Sequence, residues 1–154
     1  MTRRWARPTL MVSVGERMKQ LGYDNILAYP VDPFGIACKE GILVVMRPIS
    51  DHDFCGVLFT DEYGTLILLN SNTPDRHALT IMRDLIHLWF HPCPELCLGG
   101  IQANNGAANE ALMPAQLVKE EALSSGNDVA TTARTFGVSW ETMRARFAEL
   151  DLHR

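Results

Sequence analysis

The residues best placed to do chemistry form a short polar group inside an apolar, helix-like segment near the middle of the chain. Arg83, Asp84 and His87 occur there in the order R-D-L-I-H. Residues four apart share one face of an α-helix, so Arg83 and His87 are predicted to lie on the same face. A helix with histidine at both of these positions and glutamate after the first would bind Zn²⁺ and hold a general base beside it. Only the second histidine is present here.

Arginine and aspartate change what this pentad can do. Arginine has five N–H donors, no lone pair and a charge that it keeps in proteins, so Arg83 cannot ligate Zn²⁺ and would repel it. Asp84 keeps a carboxylate but is one methylene shorter than glutamate. That retracts the general base by roughly an ångström and costs on the order of a hundredfold in rate. Taken alone, the pentad carries almost no weight as evidence for or against a metal site.

A second set of metal-binding residue types follows the pentad. His87 and His91 are four apart on one helical face, and Cys93 and Cys97 come soon after them. Nitrogen and sulfur donors of this kind suit a structural zinc site, which is the alternative to a chain without metal. However, the two cysteines are separated by three residues in a proline-bracketed loop, unlike the C-x-x-C of most zinc knuckles. A capping or core histidine with two buried thiols is the more ordinary interpretation.

The elements that must position these residues follow from apolar periodicity and from turn residues. A helix is predicted over residues 12–21, ended by Gly22, and a short helix over residues 33–40, capped by Asp32. Strands follow at 42–46, 56–59 and 66–69, of which the last two form a hairpin. A long helix is predicted from about residue 74 to 92, then a loop over 92–100. Further helices are predicted at 101–112, from Pro114, at 128–136 and at 140–150.

The order and spacing of these elements resemble the ImmA/IrrE family of zinc metallopeptidases over nearly the whole chain. In that family a strand ending in N-S-N precedes a helix bearing H-E-x-x-H, and Asn70-Ser71-Asn72 precedes the pentad here. The other matching segments are Asp32-Pro33, the strands at 42–46 and 56–58, Leu112-Met113-Pro114, and Phe136-Gly137-Val138-Ser139 with Arg144. The resemblance implies an α+β, zincin-like minimal metallopeptidase fold. A small antiparallel-rich sheet would pack on a long active-site-type helix, followed by a helical C-terminal tail.

The resemblance also implies which ligands are missing. The family's third zinc ligand is a glutamate ten residues before Met-Pro, and that position is Ala103 in this chain. The degenerate site positions are therefore Arg83, Asp84, His87 and Ala103, and no catalytic or metal-binding residue is predicted among them. In a vacated site, Arg83 would pair with Asp84, Glu95 or Glu110 and hold two helices together. The other interpretation is that Arg83 turns out to solvent.

Composition limits the class of protein. The chain has 154 residues, 47% of them hydrophobic and 21% charged, and a formal charge of −4. We expect a frayed extension over residues 1–11 and one domain over 12–154, with the helical tail at 114–154 part of it. No apolar run approaches the roughly 20 residues of a membrane span. Reduced cysteines, a cytoplasmic location and no membrane or nucleic-acid partner are the expectations.

The tail keeps one nucleic-acid alternative open. Residues 128–150 resemble a helix-turn-helix whose second helix carries Arg144 and Arg146. DNA binding would follow if these arginines contacted phosphates. In the family that the chain resembles, the tail is instead a packing element.

Taken together, the residues and the resemblance favour a catalytically inactive protein that binds another protein. The resemblance implies a setting in bacteria or their phages and mobile elements, where family members cleave repressors. A degenerate copy would bind such a repressor or a host defence factor without cutting it, as an antirepressor or an inhibitor. The alternatives are a zinc-dependent metallopeptidase with rearranged ligands and a small DNA-binding regulator that uses the tail.

Overall fold

The computed structural model describes residues 8–90, 96–100 and 106–152. The described residues contain seven α-helices and four strands. Their bounds are α1 Pro8–Gln20, α2 Pro33–Lys39, β1 Leu43–Arg47, β2 Phe54–Asp61, β3 Gly64–Asn70, α3 His77–Phe90, β4 Leu96–Gly100, α4 Gly106–Leu112, α5 Ala115–Ser124, α6 Val129–Phe136 and α7 Trp140–Glu149. Among these helices, none is long and apolar enough to cross a membrane.

The chain divides into two compact units. The described residues within Asp32–Ala108 form the first, which contains the sheet and α3. The described residues before Asp32 and after Ala108 form the second, which contains α1 and the helices of the tail. The expectation of one domain over residues 12–154 stays a prediction.

The sheet has the strand order β1-β3-β2-β4. Strand β1 runs parallel to β3, whereas β2 runs antiparallel to both β3 and β4. Strands β2 and β3 form the predicted hairpin, joined by a turn in which Asp61 Oδ1 accepts from the backbone N–H groups of Tyr63 and Gly64. The expected α+β fold with an antiparallel-rich sheet is confirmed.

Strand β4 corrects the expectation of a loop over residues 92–100. Glycine and proline dominate that segment and indicate a loop locally. The backbone of Leu96–Gly100 nevertheless pairs with β2, with Leu98 opposite Val57 and an irregularity between Phe54 and Gly56. Strand β2 would otherwise have open backbone groups along one side, so pairing with a neighbouring strand overrides the local preference.

Helix α3 packs closely against the sheet because of a glycine. A Cβ atom on Gly56 would lie 2.8 Å from the carbonyl oxygen of Leu68 and 2.9 Å from Cγ2 of Thr80 in α3. Leu58, Ile67 and Leu69 are fully buried, and by strand alternation they share the face of the sheet on which Gly56 lies. The predicted packing of the sheet on the long helix therefore depends on a residue without a side chain.

Local capping explains where α2, α6 and α7 begin and where α6 ends. Asp32 Oδ1 accepts a hydrogen bond of 3.0 Å from Gly35 N, and Pro33 opens α2 as predicted. In the tail, Asp128 and Ser139 cap α6 and α7, and Gly137 ends α6 with φ +64°. Helix α1, in contrast, begins at Pro8, so it starts inside the segment for which we expected a frayed extension.

Candidate functional site

The candidate site lies on α3 and consists of Arg83, Asp84 and His87, which we call the α3 site. Arg83 and Asp84 are 8% and 0% exposed, whereas His87 is half-buried. The structure thus places three of the four predicted site positions within about one helical turn. The fourth, Ala103, lies outside the described residues, so the common cleft expected for the four positions stays a prediction.

Helix α3 is anchored at its start by Asn70, the last residue of β3. Its side-chain oxygen accepts from the backbone N–H groups of Ile49 and Asn72, both at 3.0 Å. Its amide nitrogen donates to the carbonyl oxygens of Asp51 and Phe54 at 3.1 and 2.9 Å. Asn70 is fully buried, so one side chain ties β3 to the segment between β1 and β2.

The carbonyl of Asn70 also fixes the first residues of α3. It accepts from Thr73 Oγ1 at 3.1 Å and from Nε2 of His77 at 2.8 Å. His77 is buried and its ring lies edge-on to Phe34 of α2, with 6.3 Å between the ring centres. From the sequence, no structural role was predicted for the side chain of Asn70 or for His77. Its position at the start of a predicted helix, directly after turn residues, was the available signal.

Arg83 and Asp84 form a buried ion pair in which Nη2 of Arg83 donates to Oδ1 of Asp84 at 3.2 Å. The expected pairing of Arg83 with Asp84 is confirmed, and the solvent-exposed interpretation is wrong. Both residues lie in α3, so this pair does not hold two helices together. Of the other predicted partners, Glu95 lies outside the described residues. Glu110 accepts from the backbone N–H of Ala115 and from Arg146.

Burial determines the ionisation of Asp84. Loss of contact with water raises the pKa of this carboxyl from 3.8 to about 6, although the Arg83 guanidinium opposes the rise. The charged form still dominates at pH 7, since a difference of one pH unit is about a tenfold ratio. At neutral pH the α3 site therefore contains a buried cation and a buried anion side by side.

The α3 site does not fit the zinc ion of an H-E-x-x-H helix. The position of the first histidine holds a guanidinium, which has no lone pair to give a metal and repels a dication. The adjacent carboxylate is engaged by that guanidinium instead of standing beside a metal-bound water. We therefore derive no step through a metal at this site.

The relocated zinc site cannot be assembled from the part of the chain that the structure describes. His91 and Cys93 lie outside it, and for Cys97 only the backbone, within β4, is described. Within the described residues, no group of three or more histidine, cysteine, aspartate or glutamate side chains is arranged to hold a metal ion. A zinc site at His87, His91, Cys93 and Cys97 stays a hypothesis.

The two arginines of α7 have different environments. Arg146 is 7% exposed, and its guanidinium donates to the carbonyl of Met113 at 3.1 Å, to Glu149 at 2.9 Å and to Glu110. Such a residue is unavailable to DNA phosphates, so the DNA-binding alternative loses Arg146 as a phosphate contact. Arg144 is exposed and stacks over the ring of Trp140, 5.2 Å from its centre. Trp140 itself is 45% exposed, so it is not a core residue.

A comparison with protein families gives a match over most of the chain. A peptidase family model described as the IrrE N-terminal-like domain matches residues 37–148. This range includes the whole sheet, α3 and most of the tail. Comparison with curated proteins found no match.

Proposed function

The chain belongs to the peptidase family of IrrE N-terminal-like domains and is metallopeptidase-like, and we propose that it acts without catalysis, as a regulator that binds another protein. The proposal is carried by one observation, the buried ion pair between Arg83 and Asp84. This pair occupies the two positions at which the zinc motif has its first ligand and its general base. A helix face once shaped around a peptide substrate then serves for binding alone.

The proposed partner is a repressor or a host defence factor. A member of a peptidase family that has lost its metal can keep the shape that recognises a substrate, because the residues that fold α3 and the sheet differ from those that bind zinc. Binding without cleavage would make the protein an antirepressor or an inhibitor, in a bacterial, phage or mobile-element setting. The acidic chain, with a formal charge of −4, favours a protein partner over nucleic acid.

The proposal is tested by partner capture with matched histidine variants. His87 is half-buried in the α3 site, whereas His52 is an exposed histidine between β1 and β2. His87→Ala should weaken capture of a partner from the native host, and His52→Ala should not. The captured protein, purified and rebound in isolation, should stay uncleaved when zinc is added, and elemental analysis should find far less than one zinc per chain.

Other outcomes would replace the proposal. One zinc per chain that disappears in His87→Ala, together with cleavage of the captured protein, would establish a metallopeptidase with rearranged ligands. Binding to DNA that falls steeply with salt and is lost in Arg144→Ala would establish a DNA-binding regulator.

A further inference from the structure

Arg83 is a buried cation whose hydrogen-bonding capacity is largely unused. A guanidinium carries five N–H donors. Within the described residues, the hydrogen bonds of Arg83 amount to one, from Nη2 to Asp84 Oδ1. Arginine is almost never buried to this extent without several partners, because each unmatched donor loses its contact with water. The site therefore offers donors for which the described part of the chain supplies no acceptor.

Asp84 has an unmet acceptor beside the unused donors of Arg83. Its Oδ2 atom is buried and, within the described residues, has no hydrogen-bond partner. A buried ion pair is stable only when its remaining donors and lone pairs are also satisfied. Two adjacent side chains with unmet hydrogen bonds indicate a place where another group binds, since buried polar atoms in folded proteins nearly always have partners.

The Arg83 side chain is not completely buried. A tenth of it remains exposed to solvent. Its contact with Asp84 restrains it, and a restrained guanidinium loses less conformational entropy on binding a ligand than a free surface arginine does.

We propose that Arg83 is a carboxylate-binding group that recognises an acidic side chain or the C-terminal carboxylate of a protein partner. This inference rests on the proposed function and names the chemistry that the partner presents. A guanidinium binds a carboxylate through two parallel hydrogen bonds, and four of its N–H donors are unassigned among the described residues. Because Asp84 repels every negative charge on a ligand, a carboxylate with one charge fits better than a phosphate with two.

The experiment titrates the purified full chain with short acetylated peptides and follows the side-chain Nε signal of Arg83 by NMR, with calorimetry for affinity. One peptide ends in a free carboxylate, a second has an internal glutamate and an amide end, and a third has neither. The first, the second or both should shift the Arg83 signal and bind, which identifies the source of the carboxylate. The third peptide should not bind, and inorganic phosphate should bind more weakly than the carboxylate peptides.

The matched variants are Arg83→Met and Arg76→Met. Arg76 also belongs to the first unit and pairs with an aspartate, Asp75, but a third of its side chain is exposed. Arg83→Met should weaken carboxylate binding by about tenfold or more, since charge-assisted hydrogen bonds are lost, whereas Arg76→Met should not change it. Arg83→Lys keeps the positive charge but cannot make two parallel hydrogen bonds to one carboxylate, so it should bind the carboxylate peptides with intermediate affinity. If Arg83→Met does not fold, the double variant Arg83→Met with Asp84→Asn is used instead, because it leaves no unpaired buried charge.

The inference is overturned if no carboxylate peptide binds the wild-type chain, if phosphate binds more tightly, or if Arg83→Met binds as well as wild type. Partner capture that survives Arg83→Met but is lost in His87→Ala would leave the proposed function standing and remove the carboxylate inference alone. If neither Arg83→Met nor His87→Ala loses partner capture, the result counts against both the proposed function and the carboxylate inference.

Discussion

At the scale of single residues, Asp84 links the α3 site to pH. Burial raises its pKa from 3.8 to about 6 in the folded chain. Between these two values the folded state holds a proton that the unfolded state has lost, so folding stability falls as pH rises. The stabilisation is fully present below about pH 3.8 and is lost above about pH 6. A shift of this size corresponds to roughly 3 kcal/mol of unfolding free energy.

Asp84→Asn should remove this contribution. Urea unfolding of wild type and variant at several pH values between 4 and 7 gives the difference in unfolding free energy, in which other titrating groups largely cancel. Relative to Asp84→Asn, the wild type should lose stability as the pH rises across this window. Parallel pH profiles for the two proteins would mean that Asp84 does not titrate as its burial implies.

The α3 site shows how far residue chemistry can be predicted from sequence. Loss of zinc ligation at Arg83 follows from the residue type alone, because no environment gives a guanidinium a free lone pair. Whether Arg83 faces solvent or Asp84 depends on burial, which is a tertiary property, and both interpretations were open. The same limit explains Trp140, whose type favours the core although the side chain is 45% exposed.

At the scale of elements, Asn70 joins the end of β3 to the segment between β1 and β2. Asn70→Ala should lower the unfolding free energy by about 2–4 kcal/mol, because four side-chain hydrogen bonds disappear and buried backbone groups lose their partners. Asn72→Ala is the matched control, since the Asn72 side chain is exposed and, among the described residues, makes one hydrogen bond, to Ile49 O at 3.0 Å. It should cost less than about 1 kcal/mol. If urea unfolding showed equal losses of unfolding free energy for Asn70→Ala and Asn72→Ala, the structural role of Asn70 would be contradicted.

The tail makes a similar contrast between two arginines. Arg146→Ala should lower the unfolding free energy by about 3 kcal/mol or more, because Glu110 loses its cationic partner and the Met113 carbonyl loses a donor. Arg144→Ala removes an exposed contact with Trp140 and should cost about 1 kcal/mol at most. Thermal unfolding of both variants measures the difference. A large loss of stability in Arg144→Ala but not in Arg146→Ala would mean that Arg144, not Arg146, is the structural arginine.

Helices and hairpin strands could be predicted because their signals are local. Asp32-Pro33 before α2, Gly137 after α6 and the turn between β2 and β3 each use residues within a few positions of the boundary. Strand β4 could not be predicted in this way. Its pairing with β2 joins residues about 40 positions apart, and its glycines favour a loop until that partner is present.

At the scale of the whole molecule, the family match and the altered site describe different properties. The match covers residues 37–148 and therefore reflects elements in the sheet, in α3 and in the tail. Those elements depend on apolar packing and capping, which do not require a metal. Arg83 changes chemistry on one face of α3 without removing the apolar residues that bury the helix, such as Ile81, Met82 and Leu85. The family fold and the ion pair of Arg83 and Asp84 are therefore compatible.

This compatibility predicts that zinc binding can be restored. Arg83→His and Asp84→Glu recreate H-E-x-x-H on a helix that already has His87 four residues further on. Ala103→Glu supplies the third ligand at the position that the resemblance assigns. The triple variant should bind one zinc per chain, measured by elemental analysis after dialysis, because helix geometry fixes two of the three ligands before the metal arrives.

Two further variants separate the contributions of the ligands. Without Ala103→Glu, the double variant keeps two histidines and should bind zinc at least about tenfold more weakly, since one of three protein ligands is missing. Adding His87→Ala to the triple variant should abolish binding, because two ligands four apart on α3 are then reduced to one. A folded triple variant that binds no zinc would mean that position 103 does not approach the α3 site. The assignment of the third ligand, and with it the degenerate-site account of Ala103, would then fail, while the ion pair of Arg83 and Asp84 would be unaffected.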